Sequence, residues 1–182
     1  MWRIVPRVNL QSNDFELFGL PHQFAQDRAV IDARWKDLQR EAHPDKFAAQ
    51  GAAAQRVAMQ WSVRINEAYQ RLKDPLKRAA YLCELHGEPV KAQDNTAMPA
   101  EFLMQQMEWR ESLDEAHDVA ALDVLHDKVT RSRRERLLRC EQLLDGQKDY
   151  AGAVAQVRAL MFIERFAQDI EARYESMESK LG

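Results

Sequence analysis

Glycine, proline and β-branched residues are scarce in this chain of 182 residues. It contains 6 Gly and 6 Pro, and 11 Val, 5 Ile and 2 Thr against 25 Ala and 18 Leu. Strands favour β-branched side chains, whereas Ala and Leu are strong helix formers. The composition therefore argues against an all-β fold, and against a doubly wound α/β fold with its Val/Ile-rich strands and glycine-rich turns. We predict an all-α protein.

The chain also lacks a large net charge, a long apolar run and a cysteine cluster. Its net charge of -3 does not indicate a general attraction to nucleic acid or to an anionic membrane. No apolar run approaches the roughly 18 residues that span a bilayer, and residues 1–13 lack the apolar segment of a signal peptide. Cys83 and Cys140 are isolated, as is typical of a reducing cytoplasm, and no Cys-x-x-Cys pair indicates a structural zinc site. We expect a cytoplasmic protein without a metal or cofactor that binds neither nucleic acid nor membrane.

Apolar residues at helical spacing predict helices in both halves of the chain. The first half is predicted to form helices over residues 14–20, 27–42, 52–73 and 75–85. The second of these has one apolar face, predicted to face the core, of Ile31, Trp35, Leu38 and Ala42. The second half is predicted to form long helices over residues 99–117, 119–144 and 149–181. Long helices with short connections are typical of an antiparallel bundle. Since residues 86–97 are polar and contain Gly and Pro, we place a first domain at 14–86, a linker at 87–98 and a three-helix bundle at 99–182.

His43-Pro44-Asp45 lies between the second and third predicted helices. Because the proline interrupts a continuous helix, His43 and Asp45 are expected on a loop. A histidine and an aspartate at this spacing could act as a general base and its orienting acid in a small helical hydrolase. However, no Ser or Cys nucleophile and no glycine-rich phosphate loop is recognisable. The alternative is that these residues only cap and turn the chain.

Four further motifs surround this turn in order. They are FELFGL at 15–20, RWKDLQR at 34–40, INEAY at 65–69 and DPLKRAAYL at 74–82. The ordered set resembles a J-domain, a helical hairpin that stimulates ATP hydrolysis by DnaK-type chaperones. One departure is Ala42, where many J-domains carry an aromatic residue. The resemblance implies that His43, Pro44 and Asp45 contact the chaperone.

The J-domain resemblance also implies a basic chaperone-binding face on the helix before the turn. At about 100° per residue, Lys36 and Arg40 share one face, and Arg34 lies near the edge of the apolar stripe. We expect Lys36, Arg40 and Arg34 to take part in chaperone binding. The alternative is an ordinary solvated helix surface with i,i+4 pairs.

The predicted helix over residues 99–117 has two apolar faces. One is a stripe predicted to face the core, formed by Phe102, Trp109, Leu113 and Ala116. The opposite side is apolar at one end and acidic at the other, and consists of Leu103, Met104, Met107, Glu108, Glu111 and Glu115. An exposed apolar patch with a charged rim often marks a protein-binding site. Alternatively, this side packs against the first domain or a neighbouring helix. The last predicted helix carries an apolar stripe of Leu160, Ile163, Ala167, Ile170, Tyr174, Met177 and Leu181. Phe162 lies off that stripe, so an exposed ring there could complete the same surface.

A J-domain followed directly by a three-helix bundle is similar to the HscB family, co-chaperones of iron–sulfur cluster biogenesis. The segments at residues 102–115 and 157–163 are also similar to the first and last bundle helices of that family. The resemblance implies two partners, the DnaK-type chaperone HscA and the cluster scaffold protein IscU. By matched position, the implied IscU contacts are Leu103, Met104, Met107, Glu108, Glu111, Glu115 and Phe162. The face selected by periodicity coincides with the face that the resemblance implies.

The sequence leaves two alternatives to this adaptor function open. The chain could be a J-domain co-chaperone that recruits a DnaK-type chaperone to a different client protein, bound by the same bundle. The basic run from Arg131 to Arg139 could bind nucleic acid, although its arginines spread around the predicted helix and lack interleaved aromatic residues. We expect an adaptor that holds both partners and is not itself an enzyme.

Overall fold

The computed structural model describes residues 9–91 and 100–179. Across these residues the chain forms helices and turns and has no strand, which confirms the all-α prediction. Its contacts divide the chain after Leu82, within the fourth helix, into two compact units. Residues 1–8 and most of the predicted linker, 92–98, lie outside the described residues.

The first unit is built on a helical hairpin. Its elements are α1 (Asp14–Phe18), α2 (Arg28–Ala42), a 3-10 helix (Pro44–Gln50), α3 (Ala52–Lys73) and the first part of α4 (Pro75–Leu85). Side chains cap the helix starts: Asn13 forms a capping box with Glu16, and Asp74 accepts from the backbone N–H groups of Leu76 and Lys77. The predicted α1 ends two residues early because Gly19, at φ 61°, forms a left-handed cap.

Apolar side chains and one buried ionic cluster hold the first unit together. Its largest fully buried side chains are Phe15, Phe18, Ile31, Ile65 and Leu72. The Asp14 carboxylate is also fully buried, and it lies 2.6 Å from guanidinium nitrogens of both Arg64 and Arg71. This cluster ties the start of α1 to α3. Trp35 and Leu38, predicted as core residues of α2, are only half-buried.

The second unit is an antiparallel three-helix bundle. It comprises α5 (Ala100–Glu115), α6 (Val119–Glu141), a π-helical turn (Gln142–Gln147) and α7 (Tyr150–Glu178). The predicted continuous helix to residue 144 is interrupted at Gln142, where the π-helical turn begins, and Lys148 at φ 56° ends that turn. Leu181, the last residue of the predicted apolar stripe, lies outside the described residues.

The bundle core contains the predicted α5 stripe and a corrected α7 stripe. Phe102, Trp109 and Ala116 are buried, as predicted, and Leu113 packs against them. On α7 the fully packed residues include Ile163, Phe166 and Ile170, whereas the predicted Ala167 is half-buried. The correction arises because Phe166 stacks on Trp109, with 5.7 Å between ring centroids. The core therefore fixes which side of α5 faces solvent.

Candidate functional site

The His43-Pro44-Asp45 turn is exposed and locally ordered. His43 adopts an extended conformation (φ -62°, ψ 125°) that ends α2, and Pro44 opens the 3-10 helix. The Asp45 backbone N–H donates to His43 Nδ1 over 3.3 Å. A neutral imidazole that accepts at Nδ1 carries its proton on Nε2. The His43 side chain is 58% exposed and that of Asp45 90%, so the turn presents both groups to solvent.

This geometry does not support the hydrolase alternative. Asp45 Oδ2 lies 3.5 Å from His43 Nδ1, and the pair is ionic only when the imidazole is protonated. In the neutral imidazole, Nδ1 accepts the Asp45 N–H and therefore has no proton to donate to the carboxylate. Asp45 therefore does not orient a neutral His43 as a catalytic acid orients a general base.

A network of polar side chains joins α2 to α3 next to the turn. Gln39 Nε2 donates to the Ser62 carbonyl over 3.1 Å and to Asn66 Oδ1 over 2.7 Å. Trp35 Nε1 donates to the same Asn66 oxygen over 2.9 Å, and the Trp35 ring stacks on Tyr69 at 4.7 Å. Since these contacts hold the last turns of α2 against α3, they position His43. Sequence reasoning missed Gln39 and Ser62, because polar residues within helices give no periodic signal.

The three predicted basic residues of α2 do not lie on the same side of the helix. Lys36 and Arg40 are exposed on the same side, and Arg40 forms an exposed ion pair with Asp37 at 3.3 Å. Arg34 reaches the other way, toward Gly19, where an added Cβ would lie 3.2 Å from its Nη2. Lys36 and Arg40 therefore form the cationic pair on that side of α2, and Arg34 lies beside the cap of α1.

The second predicted surface is an exposed apolar patch on α5. Leu103 is 45% exposed, Met104 68% and Met107 73%. The carboxylates of Glu108, Glu111 and Glu115 are exposed beyond it. The structure therefore leaves these six residues accessible, and none of the three apolar ones packs into the core.

Phe162 is half-buried, not a lone exposed ring. It packs edge-on against Phe102 at 5.7 Å and stacks on Phe166 at 5.8 Å. The Arg110 guanidinium lies over its outer face, 5.5 Å from the ring centroid. Through Phe102 and Arg110, the structure brings Phe162 to the side of α5 where Leu103 also lies. The exposed edge of Phe162 is thus held rigidly by core aromatic residues.

The middle of α6 is packed by arginines instead of apolar residues. The Arg136 guanidinium lies 4.1 Å from the Phe102 ring centroid, and its Nη1 donates to Gln156 Oε1 over 3.0 Å. Burial lowers the pKa of Arg136. Arg133 pairs with Glu164 at 3.1 Å. Because these two side chains are engaged within the bundle, the run from Arg131 to Arg139 does not form a continuous basic face for nucleic acid.

A cleft of about 470 Å³ opens between α5 and α6 beside this region. It is lined by Glu101, Met104, Gln105, Glu108, Ser132, Glu135, Arg136, Arg139 and Gln156. Its lining mixes carboxylates and guanidiniums, and the Ser132 hydroxyl in it donates to Gln105 Oε1 over 3.3 Å. Sequence reasoning did not predict it.

Neither cysteine is arranged for chemistry. Cys83 and Cys140 are free and buried. Burial raises the pKa of the Cys83 thiol to about 11 and that of Cys140 to about 12, so both stay protonated near neutral pH. Within residues 9–91 and 100–179, no group of three His, Cys, Asp or Glu side chains could hold a metal ion. No helix of the described chain is long and apolar enough to cross a membrane.

Three comparisons with known proteins agree on one family. Residues 98–171 match the family model described as the HSCB C-terminal oligomerisation domain. The co-chaperone protein HscB homologue of Burkholderia multivorans is 51% identical over 175 residues, which cover 94% of this chain and 99% of that protein. Chaperone HscB from Vibrio cholerae is 37% identical, with a TM-score of 0.78 over 91% of this chain and 99% of its own. The crystal structure of human co-chaperone protein HscB is 27% identical, with a TM-score of 0.85 over 92% of this chain and 84% of its own.

Proposed function

The chain belongs to the HscB family of co-chaperones, and from that premise we propose that it stimulates the ATPase of HscA and delivers IscU to it. This membership supports the predicted architecture of an N-terminal J-domain followed by a helical bundle. The observation that carries the proposal is that each compact unit presents one exposed, internally supported surface. The first carries the His43-Pro44-Asp45 turn, and the second carries the apolar patch of α5.

The first unit would bind the chaperone through the turn and the adjoining face of α2. His43, Pro44 and Asp45 would make the central contacts, because the turn is exposed and the Gln39–Asn66 contacts hold it in place. Exposed Lys36 and Arg40 would contribute attraction to an acidic chaperone surface and speed association. Arg34 would act at the margin, since it lies toward Gly19.

The second unit would bind IscU through Leu103, Met104 and Met107. These apolar side chains are exposed before binding, so an IscU surface that covers them gains the burial of their exposed fractions. Glu108, Glu111 and Glu115 would surround this centre and favour basic groups on the scaffold. Phe162 would contribute an aromatic edge already fixed by Phe102 and Phe166.

One chain that binds both partners couples them by proximity. Scaffold bound to the second unit is kept at high effective concentration near a chaperone bound to the first. The chain itself would form no covalent bond and hold no cluster, so its function is that of an adaptor and not of an enzyme. IscU would remain the carrier of the iron–sulfur cluster.

The test of the chaperone contact is the HscA ATPase rate with His43→Gln. We expect this variant to leave HscA near its unstimulated rate, because the imidazole acceptor of the Asp45 N–H and its exposed Nε2 are altered together. His117→Gln, which changes an exposed histidine of the second unit, should stimulate like wild type. Equal stimulation by His43→Gln and wild type would refute the assignment.

The client is tested separately by direct binding. The wild-type chain should retain purified IscU in a pull-down, whereas a chain that serves a different client would not. Loss of IscU retention together with normal HscA stimulation would favour the alternative of a J-domain co-chaperone with another client.

A further inference from the structure

The apolar patch of α5 lies between two flanks of opposite charge. The acidic flank, Glu108, Glu111 and Glu115, is exposed, and its Glu108 lines a cleft with Ser132 and Glu135 of α6. On the other side Arg110 is exposed and lies against Phe162 of α7. At about 100° per residue, Leu103 and Met107 fall between Arg110 and Glu111 around the helix. Positive charge at Arg110 therefore lies on one side of the apolar patch and negative charge at Glu111 on the other.

α7 extends the positive side of this surface. Arg158 and Arg165 stand four residues before and three residues after Phe162, so both project on the same side of α7 as that ring. Arg165 is exposed, and the buried Arg158 Nε has no hydrogen-bond partner. We call Arg110, Arg158 and Arg165 the basic flank. Within the described residues no carboxylate lies within ion-pair distance of any of the three.

The geometry at Arg110 leaves its guanidinium available to a partner. The Arg110 guanidinium carbon lies 5.5 Å from the centroid of the Phe162 ring, and such an exposed cation–π contact is weak. A guanidinium forms bidentate hydrogen bonds with a carboxylate, which are stronger than neutral ones. Glu111 adjoins Arg110 in sequence and belongs to the acidic flank. Asp114, four residues after Arg110, and Asp169, four residues after Arg165, line a separate cleft with Leu113 and Arg173. A carboxylate on a partner could therefore approach Arg110 beside Phe162.

We propose that the basic flank is a second part of the IscU-binding surface and binds an acidic group of the scaffold through Arg110 and Arg165. The inference rests on the proposed function, since it assigns partner chemistry to the same bundle. It implies that the scaffold surface is itself polarised, with basic groups against the acidic flank and an acidic group beside Phe162. The wrong orientation would place like charges together, so the two flanks would fix how the scaffold sits on α5.

The test is calorimetric binding of purified IscU to Arg110→Glu and Arg165→Glu at low and high salt. Each variant should bind about tenfold or more weakly at low salt, because it places a like charge against the acidic group of the scaffold. The loss should shrink at high salt, since these residues are exposed and their charges are screened. Arg134→Glu is the matched control, because it makes the same charge change at an exposed position of α6 away from Phe162.

The outcomes separate this inference from the proposed function. If the wild-type chain does not bind IscU, both fail. If wild type binds and Arg110→Glu and Arg165→Glu match Arg134→Glu at low salt, the proposed function stands and the basic flank is overturned. A weakening of the two basic-flank variants alone, reduced by salt, supports it.

Discussion

Replacing Leu103 and Met104 with alanine should weaken IscU binding strongly while leaving the bundle intact. Complete burial of a Leu or Met side chain is worth about 1.5–3 kcal/mol. Scaled by exposures of 45% and 68%, covering these two residues would contribute roughly 2–3 kcal/mol to binding. At about 1.4 kcal/mol per factor of ten, the double variant should raise the Kd by about 30–150-fold.

The pair is chosen so that stability does not confound the result. Both side chains are exposed in the free chain, and surface substitutions usually change stability by less than about 0.5 kcal/mol. Phe162 is excluded because its contacts with Phe102 and Phe166 would be lost with it. The control is Val124→Ala with Leu138→Ala, which removes apolar groups that are 57% and 55% exposed on α6.

Isothermal titration calorimetry with IscU measures the effect, and thermal unfolding checks the fold. We expect the α5 double variant to bind IscU more weakly than wild type and the α6 double variant to bind it like wild type. If both pairs bind with the same Kd, the patch is not the binding surface and the reasoning from exposure is wrong.

Three further predictions concern the stability of the chain. Asp14→Asn should destabilise the first unit by about 3–5 kcal/mol in urea unfolding, because it leaves two partly buried arginines facing a neutral group. Asp32→Asn, which removes the exposed ion pair with Arg28, should destabilise it far less. The free energy of unfolding should fall as pH rises from 9.0 to about 11, because the Cys83 thiol stays protonated in the folded chain while the unfolded thiol ionises; Cys83→Ala should show a shallower fall over this range. Asp74→Ala should lower stability by about 1 kcal/mol in thermal unfolding, because it removes the cap of α4, and an unchanged Tm would contradict that role.

Sequence periodicity predicted the helices well where apolar spacing was regular. The bounds of α3 were predicted without error, and the exposure of Leu103, Met104 and Met107 followed from the burial of Phe102 and Trp109 on the opposite side. These predictions succeed because a helix with one buried face must present the other to solvent.

The remaining features depend on contacts between residues distant in sequence. The buried Asp14 cluster joins side chains 50 and 57 positions apart, which no local pattern records. Phe162 was expected to be exposed, but its contact with Phe102 depends on how α5 and α7 pack. The Arg136 contact with Phe102 was missed for the same reason, since the sequence shows only a polar stretch in α6.

The central claim is that this one chain brings IscU to HscA and stimulates its ATPase. The most direct measurement is the steady-state ATPase rate of HscA with the chain alone, with IscU alone and with both together. We predict that the two proteins together raise the rate above that of HscA alone by more than the sum of the increases that each gives separately. The variant Leu103→Ala/Met104→Ala should lose this excess. An increase with both proteins that equals the sum of the two separate increases would contradict this claim.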